Sequence, residues 1–97
     1  MKNIVELSLY VNGMNSNSNT IYTRLTKQCE DQFGTDYSLN LYDLKKDPAA
    51  AVNQNIMATP TLIRISPLPQ LRVTGNLTNM RNVMLALKLL PGKIKGF

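Results

Sequence analysis

Histidine and tryptophan are absent from this sequence, and cysteine occurs once. Without histidine, nucleophilic catalysis of the Ser-His or Cys-His kind has no base. Zinc centres draw on several Cys or His ligands, so a lone cysteine gives no basis for a metal site. The same cysteine can form no internal disulfide. Aromatic residues make up 6% of the chain and do not interleave with Lys or Arg, as a base-stacking platform requires. Gly13, Gly34 and Gly75 stand alone, so no glycine-rich loop is available to cradle a phosphate. The carboxylates of Glu30, Asp31, Asp43 and Asp47 form no pair of the kind that general acid–base work needs. No apolar run nears the roughly 18 residues that a membrane-spanning helix requires. These shortages predict a chain that is not an enzyme and has no cofactor, no metal, no nucleic-acid partner and no membrane contact.

What remains is a sequence of 97 residues, 43% hydrophobic, with a formal charge of +5. That length suits one domain with one core, residues 1–97, of which 93–97 read as a frayed tail. The opening Met1-Lys2-Asn3-Ile4 leads straight into a strand pattern without a signal-peptide hydrophobic region, so a cytoplasmic location is expected. The basic residues are scattered, and only Lys45-Lys46 are adjacent, which reads as a solvated basic surface.

Val5, Leu7, Leu9 and Val11 alternate with Glu6, Ser8 and Tyr10, the period of two that marks a strand. An Asn/Ser-rich stretch follows, in which Ser18 is expected to cap a helix. Ile21, Tyr22, Leu25, Cys29 and Phe33 then recur at helical spacing until Gly34 stops them. Tyr37 to Leu44 predicts a second strand, and strand–helix–strand over this length predicts a right-handed crossover with parallel strands. Asp47-Pro48 reads as a cap and first-turn proline of a second helix, Pro48 to Met57, with Val52 and Ile56 as its apolar face. Thr61 to Ile65 and Leu71 to Thr74 predict two strands of a hairpin joined through Ser66-Pro67-Leu68-Pro69. Thr78 is expected to cap a last helix whose stripe is Met80, Val83, Met84, Leu87 and Leu90, ended by Pro91-Gly92. Ala86 and Lys88 are good helix formers and predict that this helix is continuous.

The order β-α-β-α-β-β-α is the thioredoxin-like α/β arrangement. In such folds a reactive thiol sits at the N-terminus of the first helix, where the helix dipole favours a thiolate. Here that place, Met14 to Thr20, has no cysteine. Cys29 lies almost three turns further on, on the apolar stripe, where desolvation disfavours ionisation. Pro60, preceding the third strand, is the candidate cis-proline of this fold class. A thioredoxin-like oxidoreductase or stress-response protein without the usual pair of cysteines is the alternative function on this scaffold.

Several segments together resemble the KaiB family: Leu9-Tyr10-Val11-Asn12-Gly13 with Asn17-Ser18, Asp43 to Pro48, Ile56-Met57-Ala58-Thr59-Pro60-Thr61-Leu62, and Gly75 to Asn79. The resemblance runs from Ile4 to Leu90 and is that of a divergent member. It implies a non-catalytic circadian-clock regulator that docks on a KaiC-type RecA-like ATPase and competes with the sensor domain of a SasA-type histidine kinase. It also implies fold switching between a thioredoxin-like state and a rearranged tetrameric one, with a homo-oligomer, dimer or tetramer, as a further form. Lys45, Lys46, Asn55, Arg64 and Arg72 are the partner-binding residues so implied. Thr20, Asn40 and Asn55 stand where the family's binding surfaces usually carry Arg or Lys.

Overall fold

The computed structural model describes residues 4–90. Seven elements follow in the expected order: β1 (Val5–Val11), α1 (Ser16–Phe33), β2 (Tyr37–Asp43), α2 (Ala50–Asn53), β3 (Thr61–Ser66), β4 (Leu71–Thr74) and α3 (Met80–Ala86). They build one four-stranded sheet in the order β2-β1-β3-β4. β1 and β2 run parallel, whereas β3 is antiparallel to both β1 and β4. Two central strands thus sit between two rims, β2 on one side and β4 on the other.

Alternation along the strands sorts the side chains. Leu7, Leu9 and Val11 point to one face and are buried there with Leu62 from β3, Ile21, Leu25 and Cys29 from α1, and Val83 and Met84 from α3. Both longer helices therefore cover this face. The opposite face carries Ser8 and Tyr10 from β1, with Asn40 and Tyr42 beside them on β2. α2 lies against part of that second face.

Helix ends depart from the sequence reading in instructive ways. α1 is capped by Asn15, whose side chain accepts from the Ser18 backbone N–H at 2.9 Å. Ser18 is already inside the helix, its hydroxyl donating to the Gly13 carbonyl. Gly34 closes α1 at φ 64°, as expected. α3, by contrast, is capped one residue later than expected, by Asn79 rather than Thr78.

α2 is a single turn, not a helix from Pro48 to Met57. Asp47 offers its backbone carbonyl, not its side chain, to Ala50 N–H at 3.1 Å. Val52 is 77% exposed instead of lining an apolar face. The turn ends because Asn55 adopts φ 54° and lets Ile56 N–H reach back to the Ala51 carbonyl at 2.9 Å. This left-handed closure satisfies carbonyls that the helix leaves open, and asparagine tolerates it better than most residues. α3 ends by the same device: Lys88 sits at φ 55° and Leu89 N–H bonds the Met84 carbonyl at 2.8 Å. The continuous helix to Leu90 is therefore not formed. The reversal turns Leu89, 8% exposed, into the core. The stop expected at Pro91-Gly92 and the tail 93–97 lie outside the described residues.

The peptide bonds Thr59–Pro60, Ser66–Pro67 and Leu68–Pro69 are all cis. The candidate cis-proline at Pro60 is thus present, directly before β3.

Candidate partner-binding surface

Where a thioredoxin-like fold would present its reactive sulfur, this chain presents a braced loop. Gly13, at φ 93°, donates its N–H to Asp43 Oδ1 at 2.8 Å, and Lys45 N–H donates to the same oxygen at 3.0 Å. The end of β2 is thereby tied to the loop that leads into α1. The Lys45 stem runs over Gly13 so closely that a Cβ there would stand 3.2 Å from Lys45 Cδ. The bracing role of Asp43 has no signal in the sequence beyond its position near the end of the second strand.

Cys29 is fully buried, and burial, with a smaller push from the charge of Glu30, raises its thiol to about 11. At neutral pH it is a neutral core group. Among the described residues, no cluster of His, Cys, Asp and Glu could hold a metal ion. No described helix is long and apolar enough to cross a membrane.

The five residues expected to bind a partner do not lie on one surface. Lys45 and Lys46 are exposed in the turn after β2. Arg72 is exposed on the rim strand β4, on the face shared with Tyr10, and its charge reaches the Tyr10 phenol. Asn55 is exposed, and its left-handed backbone gives it the structural task of closing α2. Arg64 is different. It is 6% exposed and lies on the α1/α3 face, where Nη1 donates to the Leu87 carbonyl and Nη2 to the Pro69 carbonyl, both at 2.8 Å. Its Nε is buried without a hydrogen-bond partner. The surface role expected for Arg64 gives way to an internal clamp, because strand alternation puts it on the same face as the buried Leu62.

The second face also holds a feature that the sequence reading missed. Tyr10 and Tyr42, cross-strand neighbours, stack with ring centroids 4.9 Å apart and planes 14° from parallel. Burial foremost, and then the neighbouring Tyr42, raise the Tyr10 phenol above its usual range. With Asp47, Ala50, Asn53 and Gln54 the two rings line a cleft of about 310 Å³. The period of two in both strands places these rings on one face, and only the pairing register makes them neighbours.

A family profile described as the KaiB domain matches residues 8–89. Over 89 residues the chain is 37% identical to the circadian clock oscillator protein KaiB of Synechococcus elongatus, covering 92% of this chain and 87% of that one. This chain belongs to the KaiB family. Another relative, circadian clock protein KaiB3 of Synechocystis sp., is 32% identical over 89 residues, with coverage of 92% and 87%. The KaiB-family chain also superposes on the N-terminal domain of Synechococcus elongatus SasA at a TM-score of 0.72. That match has 21% identity and covers 95% of this chain and 90% of the domain. Mitochondrial thioredoxin 3 from Saccharomyces cerevisiae superposes at 0.69, with 17% identity and coverage of 92% and 81%. The fold is thioredoxin-like.

Proposed function

We propose that this KaiB-family chain is a regulatory protein-binding module without chemistry of its own. Its task in this reading is to dock on a KaiC-type RecA-like ATPase, in competition with a SasA-type kinase sensor domain. The observation that carries the reading is the start of α1 and the loop before it: the redox position of the fold, Met14 to Thr20, has no cysteine, and the loop leading into it is braced by Asp43. The one thiol is sealed in the core and held neutral. Exposed Lys45, Lys46 and Arg72 offer charge for recognition of an acidic protein surface, and such charges tune encounter rate and specificity more than raw affinity.

The test is binding to the cognate ATPase, measured for the intact chain and for Lys46→Glu and Arg72→Glu. Each reversal should weaken binding about tenfold or more, a change of about 1.4 kcal/mol. Undiminished binding in both would remove this surface from the reading. Insulin reduction by the purified chain, lost in Cys29→Ser, would replace the reading with a redox one.

A further inference from the structure

Along α1, Tyr22, Thr26 and Glu30 recur every four residues and so share one row of the helix. Across from that row, Tyr37 and Leu39 stand two apart on β2 and turn to the core face in register with Val5 and Leu7. Between the row and the strand lies an open cleft of about 450 Å³, lined by these five residues and the turn that joins α1 to β2. A second cleft of about 360 Å³ continues it past Tyr22 and Glu30 towards Lys27. Clefts of this size suit small ligands.

The walls are apolar and fixed, and the charge is single. Tyr22, Tyr37 and Leu39 are partly buried and pack against the core, so they are held in place before anything binds. The Thr26 hydroxyl donates to the Tyr22 carbonyl at 2.8 Å and is committed to the helix. Glu30 is exposed and, among the described residues, has no ion-pair partner; Lys27, one turn before it, pairs with Asp31 at 3.4 Å instead. Desolvation first, and then the charge of Glu30, raise the Tyr37 phenol, with smaller pushes from Cys29 and Tyr22. The two rings and the carboxylate thus share one electrostatic neighbourhood.

We propose that this cleft binds a free trimethylammonium compound of choline size, with Glu30 as its counter-charge and the rings of Tyr22 and Tyr37 as its walls. A cation is attracted by the electron-rich face of a phenol ring as well as by a carboxylate, and quaternary ammonium groups are the ligands that such pairs of groups recognise. A hard metal ion is a poor occupant, because it needs about six or more oxygen ligands and the cleft offers one carboxylate. A bare ammonium is also a poor one: it would surrender strong hydrogen bonds to water where few acceptors replace them. Methyl groups on the nitrogen remove that loss and add apolar surface to set against Leu39 and the ring carbons. A ligand with a carboxylate of its own, such as glycine betaine, would bring that charge up to Glu30. The inference does not depend on docking to an ATPase.

The test is an NMR titration of the full chain with choline chloride, compared with sodium chloride at the same ionic strength. Saturable shifts are expected at Tyr22, Glu30, Tyr37 and Leu39, and ammonium chloride and glycine betaine should bind at least about tenfold more weakly. Glu30→Gln removes the charge at an exposed position, and Tyr22→Leu keeps an apolar wall without the ring. Each should weaken choline binding about tenfold or more, with the spectrum away from the cleft unchanged. Absence of saturable shifts overturns the proposal, as does an equal response to ammonium. Choline binding undiminished in Glu30→Gln, whose exposed site leaves the fold intact, overturns it too.

Discussion

At the scale of single residues, two buried groups carry the clearest predictions. Cys29 is neutral in the fold because ionisation would strand a thiolate among Ile21, Leu25 and Leu9. Its folded value of about 11 lies above the ordinary 9.0, so the folded chain holds the proton more tightly than the unfolded one. The stability this confers is complete below about pH 9 and is lost as pH rises towards 11. Tyr10 and Tyr37 are shifted in the same direction. The share of Cys29 is therefore read from the difference in alkaline slope between the intact chain and Cys29→Ala, by urea unfolding at several pH values. Alkylation of the native thiol should likewise be far slower than that of a free thiol. Arg64 is the opposite case, a permanent charge inside the molecule with backbone carbonyls as its hydrogen-bond acceptors. Arg64→Ala leaves the buried Leu87 carbonyl and the partly buried Pro69 carbonyl without their donor, and a hole where the side chain lay. A loss of about 2–4 kcal/mol is expected, seen as a lower urea midpoint.

At the scale of elements, the strands were legible and the helix ends were not. All four strands were legible to within a residue or two, β1 and β2 through period-two alternation, because burial of one face writes itself into every second position. Caps leave a weaker trace. Four successive residues from Asn15 to Ser18 are all competent to cap, and which one does so depends on where the Gly13–Asp43 brace delivers the chain. Asn15→Ala should cost about 1 kcal/mol. Helix propensity misled at the end of α3, where Ala86 and Lys88 favour continuation but burial of Leu89 requires a reversal. Lys88 holds a left-handed conformation that costs a β-carbon about 1 kcal/mol, so Lys88→Gly should raise stability by about that amount in thermal unfolding. Asn55 meets the same geometric demand with a residue type that suits it. Of the binding residues, Lys45, Lys46 and Arg72 were legible as exposed. Arg64 was not legible in the same way: the resemblance implies a surface role, whereas the alternation that buries Leu62 puts Arg64 on the core face.

For the whole molecule, the thioredoxin-like order was readable from spacing, and the scaffold's missing thiol from the position of the one cysteine. What composition could not reveal was the distribution of charge, since +5 says nothing of which cations are outside. With Lys45, Lys46 and Arg72 on the surface, association with an acidic partner should weaken as salt shortens the reach of their fields to roughly 8 Å at physiological ionic strength. Titration at rising salt by calorimetry checks this, and a salt-independent affinity would point to apolar contacts such as the exposed Val52 and Met57. The Arg64 clamp has a further consequence for how this molecule comes apart. One guanidinium grips both the hairpin's proline-rich tip and the close of the last helix, so neither can depart without leaving a cation stranded in oil. Hairpin and helix must therefore detach as a single leaf, and the amides of β4 and α3 should report one shared opening energy.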